Sequence, residues 1–166
     1  MSDWVCYLII SLDSNDTYVG SSNNQPKRLY NHNRNDNTIR RVGAKRTRGQ
    51  TWIPVLVISG FQNKNSCLSF ESGWKRLCHK RSNQRLKYIN IMAGTNYGYT
   101  KATVQGRILD LMYFVHNITL LNTKFKLNHS ITNPTIDPNV LYITVFSDDN
   151  IDTMPWPYFI IIKKFE

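Results

Sequence analysis

A chain of 166 residues fits one domain and is long enough to form a hydrophobic core. Its 21 lysines and arginines exceed its 11 acidic residues, and the net charge of +10 favours a polyanionic partner, nucleic acid before a membrane surface. No run of about 18 apolar residues is present, so the sequence predicts no membrane-spanning segment. The N-terminal residues also lack the pattern of a secretory signal.

The three cysteines, Cys6, Cys67 and Cys78, are odd in number and show no Cys-x-x-Cys spacing. This pattern indicates neither a disulfide framework nor a structural zinc site. We therefore expect reduced, mostly buried thiols in an intracellular protein, with nothing to choose between nucleus and cytoplasm.

The first segment predicts a β-hairpin. Residues 4–12 form a nearly continuous apolar run, which is typical of a strand at the centre of a sheet. Residues 13–16 have turn chemistry, and residues 17–20 form the returning strand. Tyr7 and Tyr18 place one phenol on each strand.

A short helix is predicted directly after the hairpin, over residues 25–34. Asn24 is a suitable N-cap, and a proline follows in the first turn, where it is tolerated. Arg28 and His32 lie four residues apart and therefore on the same face of this helix. One hairpin-helix unit thus concentrates acid–base groups and a phosphate-binding group.

The next stretch is strongly basic, with Asp36 as the single acid between residues 27 and 48. Between the predicted helix and the next strand it is a polar, glycine-containing loop without apolar periodicity, and a solvated loop is the alternative interpretation. So many charges of one sign repel each other unless a polyanion neutralises them, which favours a surface that contacts phosphates. The side chains predicted to bind nucleic acid, DNA if the resemblance described below holds, are Lys27, Arg40, Arg41, Lys45, Arg46 and Arg48.

A third strand is predicted over residues 52–61, because most of its residues are β-branched or apolar. Pro54 predicts that the start of this strand lies at an edge or entry point of the sheet. Asn63 or Asn65 is expected to cap a second helix that ends near residue 80.

Glu71 lies on the apolar stripe of this second helix. A carboxylate on an inward face is unfavourable unless it is paired or bound to a metal ion. A buried ion pair with an arginine is the alternative to a catalytic role. The stripe itself consists of Cys67, Phe70, Trp74, Leu77 and Cys78.

The second half of the sequence predicts further helices over residues 84–92 and 102–121, the latter with one apolar side. Residues 122–139 are predicted to form a connecting segment. Two short strands at 141–146 and 158–162 are expected to form a C-terminal hairpin.

These pieces resemble the GIY-YIG nuclease family. Val-Cys-Tyr at residues 5–7 stands where the family has its first Gly-x-Tyr motif, and Tyr-Val-Gly at residues 18–20 is the second motif. Val5 departs from the glycine of the first motif, although the tyrosine remains in place.

Within that family the chain is similar to the catalytic domain of the SLX-type structure-selective endonucleases. The shared features are an Arg-x-x-x-His-Asn segment at residues 28–33, a basic loop that ends in Trp52, and Phe-Glu-x-x-Trp at residues 70–74. The resemblance covers about residues 4–81. The cysteines of the RING-like zinc domain of cellular SLX-type proteins are missing.

The resemblance implies an α/β (α+β) GIY-YIG fold, with a small three-stranded antiparallel sheet flanked by helices. A helical and short β C-terminal extension completes the expected chain. We divide it into a nuclease core at residues 1–82 and a C-terminal portion at residues 83–166, expected to pack together as one unit.

The resemblance also implies a set of catalytic roles. Glu71 is expected to be the single protein ligand of one Mg²⁺ or Mn²⁺ ion per active site. Arg28 is expected to bind the non-bridging phosphate oxygens. Tyr7 or Tyr18 would orient or deprotonate the attacking water, with Tyr7 favoured, and His32 would orient a phenol or relay its proton.

The predicted function is structure-selective, sequence-independent cleavage of branched or flapped DNA in repair, recombination or replication. A homodimer or an unknown protein partner is compatible with the sequence. One alternative is a sequence-specific or mobile-element GIY-YIG endonuclease. The other is a basic DNA-binding module without catalysis.

Overall fold

A five-stranded sheet organises the part of the chain that the computed structural model describes. The described residues are 3–34, 45–79, 83–94, 96, 103–117, 140–147 and 151–165. The strands are β1 (Val5–Ser11), β2 (Thr17–Ser22), β3 (Trp52–Ser59), β4 (Leu141–Val145) and β5 (Ile160–Lys164), in the spatial order β2-β1-β3-β4-β5. The described helices are α1 (Gln25–Asn33), α2 (Lys64–His79), α3 (Asn83–Ala93) and α4 (Val104–His116).

The predicted hairpin and first helix are confirmed. β1 pairs antiparallel with β2 on one side and with β3 on the other, so it is an internal strand. Helix α1 begins after Asn24, whose side-chain oxygen accepts from the backbone N–H of Lys27 at 3.1 Å. This cap fixes the start of the helix that carries Arg28 and His32.

Of the two positions expected from Pro54, a sheet edge is wrong, because β3 is the central strand of the five, whereas the proline does lie near the start of the strand. Pro54 lies opposite Ile9, where the pairing with β1 shifts register after Leu8. β4 pairs only with the later part of β3, from Leu56 to Ser59. The proline therefore occupies an irregular, singly paired part of the strand, where its missing N–H is tolerated.

The predicted α+β fold is confirmed, and β1, β2 and β3 pair antiparallel as expected. Two further strands extend this sheet, and the predicted C-terminal hairpin is wrong. β4 joins the sheet antiparallel to β3, and β5 runs parallel to β4. Parallel neighbours need a connection of about a dozen residues or more, and the chain between Val145 and Ile160 is long enough. The 3₁₀ turn Ile151–Thr153 lies within this connection, and Ile151 is buried.

Helix α2 packs the apolar stripe predicted for it into the core. The Trp74 indole N–H donates to the carbonyl oxygen of Arg107 at 3.0 Å, and the rings of Phe70 and Phe114 meet edge-on at 5.0 Å between centroids. Both contacts join α2 to α4. The division at residue 82 stays a prediction, although one hydrophobic cluster contains residues from both sides of it.

Helices α3 and α4 are joined by a buried ion pair, with 3.0 Å between Arg85 and Asp110. Arg85 also donates to the carbonyl oxygen of Leu77 at 2.6 Å, which ties α3 to the end of α2. These added hydrogen bonds matter because a buried charge pair is stable only when its remaining donors and acceptors are satisfied.

The three cysteine thiols are free and buried, as expected. Burial raises the pKa of Cys67 to about 12 and that of Cys78 to about 11, so both are protonated thiols at neutral pH. Among the described helices, none has the length and apolar character needed to cross a bilayer.

The end of β3 requires a glycine at position 60. Gly60 has φ of +100°, and a Cβ there would lie 2.4 Å from the backbone oxygen of Val140. Gly49 also has a positive φ, +76°, but a Cβ there meets no atom within 4 Å in the described structure. A side chain at Gly49 would therefore introduce backbone strain alone, whereas a side chain at Gly60 would add steric overlap with Val140.

We expect Gly49→Ala to lower the free energy of unfolding by about 1 kcal/mol through strain alone. Gly60→Ala should lower it by about 3 kcal/mol, because a backbone atom cannot rotate away. Urea denaturation measures both values. Equal losses at the two positions would contradict the proposed overlap with the segment that leads into β4.

Candidate active site

The hairpin and α1 bring four of the predicted catalytic side chains together. Tyr7 lies on β1, Tyr18 on β2, and Arg28 and His32 on α1. The ring centroids of Tyr7 and Tyr18 are 6.5 Å apart, and the His32 ring lies 6.0 Å from the first and 5.3 Å from the second. We call these four residues the phenol cluster.

A buried hydrogen bond connects the two elements. The Tyr7 hydroxyl lies 2.9 Å from Nε2 of His32, and the two side chains are 1% and 2% exposed. The other ring nitrogen, Nδ1, lies 2.7 Å from the hydroxyl oxygen of Thr47. Both nitrogens of the imidazole are therefore occupied inside the protein.

Gly20 explains why the second motif ends in a glycine. It is the β2 residue paired with Tyr7, and a Cβ there would lie 2.5 Å from the Tyr7 hydroxyl oxygen and 2.8 Å from the Tyr18 ring. The absence of a side chain is what lets the two phenols approach each other.

The guanidinium of Arg28 lies beside both phenolic oxygens and interacts with Tyr7 and Tyr18. Its Nε is the one buried side-chain nitrogen or oxygen without a hydrogen-bond partner in the described part of the chain. An unsatisfied buried donor on a cation is unfavourable in the free protein and suits an anionic ligand.

Glu71 lies at the margin of the buried stripe of α2, with 15% of its side chain exposed. Its carboxylate accepts from the Ser21 hydroxyl and pairs with the Lys75 ammonium at 2.5 Å. The described ion-pair partner of Glu71 is thus a lysine, whereas the alternative interpretation predicted a buried ion pair with an arginine. Lys75 also lies 5.1 Å from the centre of the Tyr18 ring, which connects Glu71 to the phenol cluster.

Burial controls the protonation of the cluster. It raises the pKa of Tyr7 well above the ordinary phenol value, although Arg28 opposes the shift. Burial and the charge of Arg28 together lower the pKa of His32 to about 4. At pH 7 the phenol is therefore protonated and the imidazole is neutral.

The described residues contain no group of three or more His, Cys, Asp and Glu side chains that could hold a metal ion. Magnesium does not require such a cage, since it often keeps several waters and takes one or two carboxylates. The Glu71 carboxylate fits this need, because each oxygen has a further lone pair beyond its contact with Ser21 or Lys75.

The predicted DNA-binding side chains are only partly described. Lys27, Arg46 and Arg48 are exposed. The backbone of Lys45 forms the first residue of the 3₁₀ turn Lys45–Thr47. Arg40 and Arg41 lie outside the described residues.

Three residues of the site were missed by sequence reasoning. Lys75 follows Glu71 by four residues, and this is the spacing of a helical ion pair, so that signal was available. Ser21 adjoins the second motif without a distinguishing pattern. Thr47 lies in a loop without periodicity, and nothing in the sequence marks it.

The GIY-YIG catalytic domain matches residues 3–87, just over half of the chain. The chain therefore belongs to the GIY-YIG family of nucleases. The resemblance seen in the motifs at residues 5–7 and 18–20 is thereby confirmed, and with it the assignment as an endonuclease.

Among similar proteins, "Uncharacterized protein L300" of Acanthamoeba polyphaga mimivirus is 57% identical over 160 residues, which cover 96% of this chain and 95% of that protein. "Structure-specific endonuclease subunit SLX1" of Vanderwaltozyma polyspora is 31% identical over 121 residues, 68% of this chain and 36% of that protein. The SLX1 homolog of Leishmania major is 38% identical over 93 residues, 53% of this chain and 12% of that protein. The chain thus matches about a third or less of these SLX1 proteins.

The low pKa of His32 predicts a loss of stability in acid. Because the unfolded chain binds this proton near pH 6.5 and the folded chain only near pH 4, stability attributable to the neutral imidazole is lost as the pH falls between these values. The expected loss is about 2 kcal/mol.

Urea unfolding of the wild type and of His32→Gln at pH 7 and pH 4.5 measures this pH-dependent loss of stability. The variant should be less stable at pH 7, and its deficit should shrink by about 2 kcal/mol at the lower pH. A deficit that stays constant with pH would contradict the buried, neutral state of His32.

Proposed function

We propose that the protein is a metal-dependent endonuclease that hydrolyses phosphodiester bonds in branched or flapped DNA, selecting structure over sequence. The observation that supports this is the convergence of Tyr7, Tyr18, Arg28 and His32, with Glu71 connected to them through Lys75. Hydrolysis of a phosphodiester needs a positioned water, a cation on the phosphoryl oxygens and stabilisation of the leaving oxygen. The five side chains divide these tasks.

Arg28 would bind the scissile phosphate. Its guanidinium carries a permanent charge and a planar set of N–H donors that matches the oxygens of a phosphate. A charge-assisted hydrogen bond in this half-buried position would strengthen as negative charge grows in the transition state.

Tyr7 would act on the attacking water in concert with His32. As the phenolic oxygen takes a proton from water, its own proton moves along the 2.9 Å hydrogen bond to Nε2 of His32. The neutral imidazole can accept this proton, and Arg28 stabilises negative charge on the phenol. Tyr18 would orient the water or the phosphate beside Tyr7.

Glu71 would hold a divalent cation, Mg²⁺ or Mn²⁺, in each active site. Ser21 fixes the orientation of the carboxylate, and Lys75 neutralises it in the free protein. A bound divalent cation supplies Lewis-acid stabilisation of charge on the phosphate and the leaving oxygen. Glu71 supplies one ligand, consistent with the hydrated coordination that magnesium prefers.

The surface around α1 suits a backbone-directed mode of DNA binding. Lys27 and Tyr30 lie three residues apart on the exposed outer face of α1, and the exposed Arg34 follows directly after the helix. Tyr30 is 64% exposed and could stack on an unpaired base, while the cations flank it. Charges of this kind carry no base sequence information.

Structure selectivity is supported by the SLX1 relatives, whose names describe subunits of structure-specific endonucleases. We also propose that the protein acts in DNA repair, recombination or replication inside the cell. Symmetric cutting of a four-way junction requires two active sites, so a junction substrate would imply a homodimer or a partner, whereas a flap requires one cut.

The first test is Glu71→Gln, which keeps the shape of the side chain and removes its charge. We expect cleavage of a flap substrate with Mg²⁺ to fall by about 100-fold or more, because one charged ligand is lost. DNA affinity should stay within about twofold. Gel-based cleavage and fluorescence anisotropy give the two readouts.

Asp152→Asn is the matched control, since Asp152 is an exposed acid paired with Lys164 on the far edge of the sheet. It should cut at the wild-type rate. Cleavage by Glu71→Gln at the wild-type rate would contradict the metal assignment. If the wild-type protein binds DNA but never cuts it, the alternative of a DNA-binding module without catalysis is supported instead.

The second test concerns the phosphate contact by Arg46. Arg46→Ala should weaken binding to flap, fork and duplex DNA to a similar extent, and reduce the slope of log affinity against log salt by about 1. Measurements in the Glu71→Gln background keep the DNA intact. Lys163→Ala removes a cation from the opposite sheet edge and should leave the slope unchanged. Equal effects of both variants would exclude a specific role for Arg46.

A further inference from the structure

Thr47 is a buried polar residue in contact with the phenol cluster. Its side chain is 1% exposed, and its hydroxyl lies 2.7 Å from Nδ1 of His32, on the side of the ring opposite Tyr7. The indole N–H of Trp52 donates to the carbonyl oxygen of Thr47 at 2.9 Å. The threonine is therefore held through both its backbone and its side chain.

Asn33 completes this arrangement. Its side-chain amide donates to the carbonyl oxygen of Trp52 at 2.9 Å, and its side-chain oxygen accepts from the Trp52 backbone N–H at 2.6 Å. Because Asn33 follows His32 in the chain, the four residues form a closed ring of contacts. Such closure fixes the distance between Thr47 and the imidazole more tightly than one hydrogen bond would.

The protons in this network have one consistent arrangement. Tyr7 is a protonated phenol at neutral pH, so its buried O–H needs an acceptor. Arg28 carries only donors and cannot accept it, whereas Nε2 of His32 lies at 2.9 Å. Nε2 must then be unprotonated, which places the single proton of the neutral imidazole on Nδ1, facing Thr47.

We propose that Thr47 is a positioning residue that selects the Nδ1-protonated tautomer of His32 by accepting its N–H. Nε2 is thereby kept free to receive the Tyr7 proton. This proposal rests on the proposed nuclease mechanism, in which His32 accepts that proton during attack by water. Thr47 itself does not contact the reacting atoms.

Removal of the hydroxyl has a defined consequence. Valine has nearly the same shape as threonine but offers Nδ1–H no acceptor, and a buried donor without a partner is unfavourable. If the ring proton moves to Nε2, Nδ1 no longer carries an unpaired donor. The new Nε2–H then faces the Tyr7 O–H, so two donors lie opposite each other. Tyr7 would then lose its proton acceptor.

The experiment uses protein labelled with ¹⁵N in the histidine rings, whose chemical shifts distinguish the two tautomers. Wild type and Thr47→Ser should show the Nδ1–H form of His32, and Thr47→Val should move toward the Nε2–H form. In parallel, kcat for a DNA flap should fall about 10- to 100-fold in Thr47→Val, recover in Thr47→Ser, and leave the Kd for DNA unchanged. Thr51→Val, an exposed change in the same segment, is the matched control and should match wild type in both readouts.

A wild-type His32 that carries its proton on Nε2 would overturn the proposal, and so would a fall in kcat without a change of tautomer. If Thr47→Val fails to fold, as judged by its thermal unfolding curve, Thr47→Ala removes the same hydroxyl and should show the same shift of tautomer. The spectra do not depend on catalysis. A wild-type protein without nuclease activity would therefore refute the proposed function and leave the tautomer assignment standing on its own measurement.

Discussion

The hydrogen bond between Tyr7 and His32 is the contact on which the site depends. It joins the internal strand of the hairpin to α1 inside the protein, where few other groups can satisfy either partner. Gly20 leaves room for the phenol, and Thr47 occupies the far side of the imidazole. Together with the two hydrogen bonds between Asn33 and Trp52, this buried contact holds α1, and hence Arg28, against the sheet.

In the free protein the negative charge of Glu71 is balanced by Lys75. Lys75 and Ser21 occupy the carboxylate of Glu71, while Arg28 lies against the two phenols with its Nε unpartnered. Binding of a phosphate and a cation would exchange these internal contacts for ligand contacts. Preorganised groups of this kind stabilise developing charge without large rearrangement, because the fold has already positioned them.

Local sequence signals predicted the elements that carry the site. The apolar run of β1, the Asn24 cap and the stripe of α2 each depend on residues close in the chain, and each was placed correctly. The pairing of β4 and β5 depends on which distant strand offers a partner, and no local pattern encodes that choice.

The same distinction applies within the site. Tyr7, Arg28 and His32 belong to recognisable motifs, so their proximity could be predicted from sequence. Thr47 approaches His32 from a turn that has no periodicity, and only the folded chain brings the two together. The ion pair between Glu71 and Lys75 lies between these cases, since its spacing is visible in the sequence but its position beside Tyr18 is not.

A crystal structure of the wild-type protein soaked in Mn²⁺, with anomalous differences recorded to locate the ion, tests directly whether Glu71 is the metal ligand. We expect one peak bound to the Glu71 carboxylate, beside the phenol cluster. A peak only at other acids, such as Asp13 or Asp152, or an unchanged Glu71–Lys75 pair with no ion at saturating Mn²⁺, would contradict it.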